Sequence, residues 1–530
     1  MKKINLIIIL SITLIVSPVY GSINQENSDL YNDVSIELPS YFNWRDINGV
    51  DFTTPIRNQA PFHSCETFAI VGALETMVQY KVGYPFGCDL SEAHLYFYSG
   101  GNLNWGSFPE NDTNFLKEYG VPDEACWPYP SELKQYPLNT TSPDWGNRSV
   151  KITDWYYLPE DIDSIKNAIV NNGPVPTYFI VYDDFIYYKN GIYRHRWGNY
   201  RAIHYITIVG YNDNPGYWIC KNSWGTKYQN EGWFNIGYGE CSIEKKSFYL
   251  EGVYGQFPII YVDDDNINGP WDGSIKHPYS NIQEGIDNAY TDWTVFVKNG
   301  FYSENIIINK TINLDGEDKN STIIDGGGNK HVITISKPNV IISGFSIQNS
   351  GTEPYNAGIK TLSLDSNVTI KNNIIQNNGI GVFLNYAYEK SWNIVQDNII
   401  QNNIDGLNIH WANNNQISDN LIKLNMDDGI EMESSRYTLI ENNIIQENGK
   451  YGLYLRAASH RNIIMKNDFI DNEIHAFFDG SLFNKWSRNF WSDSRWILFK
   501  PISGKLDIYD IPWIDFDLFP VREPYIISYT

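Results

Sequence analysis

Positive charge is what this 530-residue sequence has least of. It holds 39 Lys and Arg against 62 Asp and Glu, a formal net charge of −23. A nucleic-acid binder needs a basic face to displace the counterions of the phosphate backbone, so that class is excluded. Long apolar runs are also scarce. One stands at the start, Ile4 to Val16 behind Lys2 and Lys3. It is short for a membrane span, and Val19-Tyr20-Gly21 follows it as a cleavage site would. A signal peptide cut after Gly21 is expected, and a secreted or extracellular protein, cell-surface associated or free. Cysteine is sparse and odd in number: Cys65, Cys88, Cys126, Cys220 and Cys241. An exported chain with five leaves one thiol over. With Cys65 set aside, the other four permit three pairings, and Cys88–Cys126 with Cys220–Cys241 is the pairing expected.

Aromatic residues are abundant, at 38 Tyr, 25 Phe and 17 Trp, which is ample material for packed cores. The length exceeds what one ordinary core supports, so two domains are expected. Residues 22 to 37 are polar and read as a short extended or pro-segment.

A turn-forming run ends at Ser64 and an apolar periodic run begins after it. Phe68, Ala69, Ala73, Met77 and Val78 recur at helical spacing, and Gly83 stops the helix. Cys65 therefore sits in the first turn of a helix reaching about Lys81, where the macrodipole favours thiolate. Alone it would read as a small apolar residue opening a core helix. The residues around it change that reading. Leu38 to Arg45 leads in, and Gln59 stands six residues before the cysteine. Leu90-Ser91-Glu92, a glycine-rich Ser99 to Gly106, Gly120 to Glu124 and Trp127-Pro128-Tyr129 follow. Much later come His204 to Tyr211, Lys221-Asn222-Ser223-Trp224-Gly225 and Glu231-Gly232-Trp233-Phe234. In this order, over roughly residues 38 to 255, the chain resembles the papain family of cysteine peptidases.

The resemblance implies a set of roles. A free thiol is mostly protonated at neutral pH, and a nearby imidazole converts it to a thiolate. His204 would be that imidazole, later giving its proton to the leaving amine. Asn222 would orient it, and Trp224 would shield their hydrogen bond from water. Gln59 and the Cys65 backbone N–H would bind the oxyanion. Gly106 would offer main-chain hydrogen bonds to bound peptide. Lys246, five positions after Cys241, falls at the specificity-pocket floor, where it would favour an acidic side chain. Taken singly, His204 reads as a core histidine in a strand, Asn222 as a turn residue and Gln59 as a polar loop residue. No metal and no cofactor are called for.

Two departures stand beside the nucleophile. Phe62 replaces a cysteine and removes the disulfide that the family has there, and Glu66 replaces an aromatic residue. A carboxylate beside a thiolate raises the thiol pKa unless it points to solvent. The segment before Leu38 is also too short for the family's helical prodomain.

After Gly255 the composition turns to Asn and Ile. Asn373-Ile374-Ile375-Gln376 recurs at Asn398, Asn420, Asn443 and Asn467, at spacings of 25, 22, 23 and 24. Such a period reads as a solenoid, one coil per repeat, with inward Ile and Leu and hydrogen-bonded Asn ladders. It resembles right-handed parallel β-helix proteins. Residues 283–289 read as an N-terminal capping helix, and Trp486 to Pro524 as a cap on the last coil. Asp427-Asp428 with Glu431 and Glu433 are candidates for a glycosidase-type acid pair, though Asp428 shares a pre-Gly turn slot with Asp405.

The expected organisation is a signal peptide (1–21), a polar segment (22–37), a papain-like α+β peptidase domain with a helical and a β-rich lobe (38–255), an all-β right-handed parallel β-helix (256–490) and a C-terminal cap (491–530). The expected function is a secreted cysteine endopeptidase acting on peptide or protein, with a β-helix that binds carbohydrate or a cell surface. The alternatives are a non-catalytic adhesin-like protein with a weakened peptidase domain, and a carbohydrate-active β-helix.

Overall fold

Everything before Leu38 lies outside the described part of the structure, the expected signal peptide and polar segment included. The structure, a computed structural model, describes residues 38–132, 145–228, 230–362, 366–387, 392–493, 499–506 and 511–525. No helix among the described residues is long and apolar enough to cross a membrane.

The helix that opens at Cys65 runs Cys65–Val82, and Gly83 ends it in the left-handed conformation at φ 79°. There a Cβ would be strained, which is why glycine closes helices in this way. Thr67 through Gln79 are buried all round, not on one face alone. Its polar residues serve neighbouring loops. Glu75 accepts the Leu90 N–H at 2.9 Å, and Gln79 donates to the Phe52 carbonyl at 2.8 Å. One side of the helix packs on a helical lobe that includes Glu92–Tyr98 and Pro109–Glu118. The other meets an antiparallel sheet whose long strand is Tyr200–Asn212. Thr207 Oγ1 ties that strand to the helix through the Ala69 carbonyl at 2.9 Å. Strand Val175–Tyr182 flanks it on one edge and Tyr217–Lys221 on the other. His204 and Asn222 thereby come from adjacent elements facing the helix start.

The two expected disulfides are not formed, for all five cysteines carry thiols. Cys88 lies in the helical-lobe core, and Cys220 in the β-lobe core with the half-buried Cys241 against its edge. Each packs as a small hydrophobe.

The second domain starts without a linker. Strand Phe248–Gly255 still belongs to the peptidase fold, and Ile259–Val262 already pairs in parallel with Thr294–Val297. A helix over Ile282–Asn288, capped by Asn281, covers the start of a parallel β-solenoid of about nine turns. The sequence repeat is the structural register: Ile375 pairs with Ile400, Ile400 with Ile422, Ile422 with Ile445 and Ile445 with Phe469. Inward Ile and Leu form one continuous core.

Two asparagine ladders run through it. Asn373, Asn398, Asn420, Asn443, Asn467 and Asn489 each donate from Nδ2 to the Oδ1 of the next at 2.9–3.2 Å. Asn378, Asn403, Asn425, Asn448 and Asn472 do the same at 2.8–3.1 Å. The first ladder ends on Asp517 Oδ2 at 3.0 Å. Asp517 belongs to an antiparallel hairpin, Lys500–Leu506 with Ile511–Asp517, laid on the last coil. Asn420→Ala would take the acceptor from the buried Asn398 backbone N–H and a donor from each of the Val395 and Ser418 carbonyls. Buried orphans of this kind should cost about 2–3 kcal/mol, read as a lower midpoint in chemical denaturation. An unchanged midpoint would mean that the ladder only decorates the core.

The junction is a shared core. Ile259, Tyr261 and Phe296 of the first coil pack with Phe86, Leu90 and Val121 of the helical lobe. Tyr84 donates to Asp315 at 2.9 Å, and Trp293 Nε1 to Asp123 at 3.2 Å.

Candidate active site

A helix N-terminus leaves its first amides without intrahelical partners. At Cys65 the Ser64 side chain does not cap them. Its hydroxyl is instead paired with Tyr129 Oη at 2.6 Å, and Tyr129 Oη also donates to the Gln59 carbonyl at 2.6 Å. Ser64 thus leaves the Cys65 N–H without a side-chain cap, where an anion can be received.

Phe62, the residue in place of a cysteine, is buried. Its ring lies 5.7 Å from Tyr129 and 5.4 Å from Phe97, edge to face in both cases. Aromatic packing thus holds the loop before the nucleophile where a cross-link is missing.

The backbone N–H of Tyr205, the residue after His204, lies near the Cys65 sulfur and favours its thiolate. His204 Nε2 lies 2.8 Å from Asn222 Oδ1, with both side chains at least 96% buried. An amide oxygen accepts, so Nε2 carries the hydrogen and Nδ1 is left as the base. The Trp224 ring covers this pair, stacked on His204 at 4.5 Å. Burial pulls the imidazole down to about 4, and Asn222 opposes that. Burial pushes the Cys65 thiol up, and Glu66 adds to it. Burial thus disfavours the charged form of each group taken alone.

Gln59 reaches across the cleft. Its backbone N–H donates to the Ser223 carbonyl at 2.8 Å, and Ser223 Oγ donates to its Oε1 at 2.7 Å. Gln59 Nε2 donates to the Phe62 carbonyl at 3.3 Å, which leaves one amide hydrogen unused.

Glu66 does not point to open solvent. The Cys65 thiol donates to its Oε2 at 3.4 Å, and burial raises its carboxyl to about 7. Gly106 lies against it at φ 92°, where a Cβ would approach the His63 carbonyl to 2.6 Å. Gly106 already exchanges both backbone hydrogen bonds with Asn102, at 2.8 and 2.9 Å. Lys246 is exposed, its ammonium 5.2 Å from the Tyr157 ring.

The structure therefore brings together Gln59, Cys65, His204, Asn222 and Trp224. Sequence reasoning missed the Tyr129 bridge, the Ser223 clamp and the Tyr205 amide. Tyr129 and Ser223 stand inside motifs it had quoted, but nothing in their residue types marked them. Beside the helix start, Asn58 to Phe62 with Ile186, Trp224 and Tyr228 line a cavity of about 420 Å³.

Residues 38–250 match the family described as papain family cysteine protease, and residues 286–496 match one described as periplasmic copper-binding protein (NosD). Cathepsin B-like CP2 of Giardia intestinalis is 31% identical over 202 residues, 35% of this chain and 64% of that protein. Cathepsin J of Mus musculus is 32% identical over 231 residues, 41% of this chain and 67% of that protein. The chain spans about two thirds of the length of these curated relatives. The solved structure of the bromelain protease from Ananas comosus in complex with the E64 inhibitor aligns at 26% identity and a TM-score of 0.35, over 40% of this chain and 99% of that one.

Proposed function

As the chain belongs to the papain family of cysteine proteases, we propose that it is a secreted endopeptidase that hydrolyses peptide bonds through Cys65 and His204. The observation that carries this is the His204–Asn222 bond, buried under Trp224 and beside the helix that presents Cys65. His204 Nδ1 takes the thiol proton, and the sulfur attacks the scissile carbonyl. The oxyanion is received by the Cys65 N–H and the unused Gln59 amide hydrogen. His204 returns the proton to the leaving amine, and water completes hydrolysis of the acyl-enzyme.

Gly106 keeps a second lone pair on its carbonyl for a peptide N–H, even with Asn102 engaged. Lys246 favours an acidic side chain in the substrate only by leaving the Tyr157 ring. A peptide library with no acidic preference would remove that role. The Lys2–Lys3 start and the Ile4 to Val16 run support export.

The solenoid is proposed as a binding module for carbohydrate or a cell surface. Copper does not enter this proposal. Among the described residues no three His, Cys, Asp or Glu side chains are arranged to hold a metal ion, and the sequence has no cysteine after Cys241. The imidazole and sulfur donors that copper favours are not assembled there.

A thiol-directed epoxide should label the wild-type chain once, and Cys65→Ala should abolish both labelling and peptide cleavage. No labelling and no cleavage across pH 4–8 would instead support the adhesin-like alternative.

A further inference from the structure

Outward-facing side chains on successive coils stack in columns, because the strands are parallel and in register. Phe383, Asn408, Glu431, Tyr454 and Phe477 form one column. Asn385, His410, Glu433, Arg456 and Asp479 form the next. Their neighbours along each strand, such as Ile409 and Met432, belong to the core, so by alternation these point outward. Yet Asn408 and His410 are 3% and 4% exposed. The segment 352–356 lies beside them, and together they line a cavity of about 310 Å³ with Asp405, Glu431 and Arg456.

Two polar atoms in this cavity have no hydrogen-bond partner. Asn408 Nδ2 is engaged by Asp405 Oδ2 at 3.2 Å, but Asn408 Oδ1 is buried and unsatisfied. His410 Nε2 has no hydrogen bond of good geometry; its nearest acceptor is Glu431 Oε2 at 3.5 Å, with which it pairs ionically only when protonated. Buried polar atoms are nearly always satisfied, so two orphans lining one cavity point to a missing partner. The charges narrow its nature. Arg456 bridges Glu431 at 2.6 Å and Glu433 at 2.7 Å, so the cation is already held by two carboxylates. With Asp405 nearby, the site repels an added anion. An aromatic face adds an apolar wall. Tyr355 stacks parallel on Phe383 at 5.8 Å and is 56% exposed, at a left-handed φ of 70° that costs a non-glycine residue strain. On the far side of Glu431, Tyr454, Tyr451 and Phe477 form a second aromatic group.

Hydroxyls that both donate and accept, on a ring with an apolar face, answer each of these features. We propose that this cleft binds a neutral saccharide, its hydroxyls meeting Asn408 Oδ1 and His410 Nε2 and its ring lying on Tyr355. The two aromatic groups are three rungs apart, about 14 Å at the usual strand spacing, so the cleft accepts more than one sugar unit. This rests on the reading of the solenoid as a binding module.

The test uses the full chain, titrated calorimetrically with neutral hexasaccharides (cello-, manno- and N-acetylchito-oligomers) and with an acidic galacturonate hexamer. At least one neutral oligomer should bind. Tyr355→Ala and Asn408→Leu should each weaken it by about tenfold or more, with epoxide labelling of Cys65 unchanged. Tyr355 is exposed, so its variant separates lost binding from lost folding. Binding that survives both substitutions would overturn this site while leaving the solenoid a carbohydrate module. Binding of the acidic oligomer alone, or of none while Cys65 still labels, would overturn the saccharide assignment and leave the peptidase standing.

Discussion

Gln59→Ala should lower kcat for peptide hydrolysis by about 10²–10³-fold and leave KM nearly unchanged. The split follows from when the interaction exists. The remaining Nε2 hydrogen of Gln59 meets no strong acceptor in the resting site, and a ground-state carbonyl is a poor one. The tetrahedral oxyanion supplies the acceptor, so the bond belongs to the transition state and its loss appears in kcat. Gln59 is well placed to give that bond at little reorganisation cost. Its carbonyl is held by Tyr129, its N–H by the Ser223 carbonyl and its Oε1 by Ser223 Oγ. Ser223→Ala should therefore give a smaller loss in the same parameter, because the amide is freed to rotate while the donor is kept. A Gln59→Ala variant with raised KM and normal kcat would place Gln59 in substrate binding instead.

The difference between Gln59 and Ser223 also shows what was legible in the sequence. The proposed chemistry dictates residue type at Cys65, His204, Asn222 and Gln59, and their order along the chain marks them even at 31–32% identity to relatives. The solenoid is legible for another reason. Its repeat is its hydrogen-bond register, so the spacing of Asn373, Asn398, Asn420, Asn443 and Asn467 carries the coil length directly. What is not legible depends on tertiary neighbours. Nothing local marks Tyr129 as the bridge between Ser64 and Gln59, or Phe62 as an aromatic replacement for a cross-link. The disulfide expectation failed because counting cysteines ignores where their side chains pack. The continuous core at the junction is invisible because Ile259, Tyr261 and Phe296 look like any inward strand residues, while the surface they cover is built from residues as far back as Phe86, Leu90 and Val121.

Glu66→Gln should raise kcat/KM and the rate of epoxide labelling at pH 8 by about tenfold or more, and change little at pH 5. The direction comes from the charge beside the sulfur. Burial lifts the Glu66 carboxyl to about 7, so it is neutral below that pH and charged above it. Once charged, it lies 3.4 Å from the sulfur and opposes the thiolate more than it favours the more distant imidazolium. The wild-type profile should therefore fall as pH rises through about 7, earlier than the imidazolium of the pair would impose. Other groups face the same spot. Asp112, buried between the hydroxyls of Ser99 and Ser107, is lifted by burial to about 8, and the Tyr205 phenol is pushed up by burial and by Glu66. Asp112 ionises after Glu66 and deepens the same fall. Both carboxyls have folded values above their unfolded ones, so they favour the folded state fully only below the usual carboxylate range, and lose that contribution as pH climbs from there to about 7 for Glu66 and about 8 for Asp112. Glu66→Gln should thus also flatten the decline of stability between about pH 5 and 7, with Asp112 left to supply the remainder up to about 8. An alkaline limb that stays in place in this variant would sink the account. A limb that moves upward would mean that the carboxyl standing where the family has an aromatic ring restricts this peptidase to acidic media.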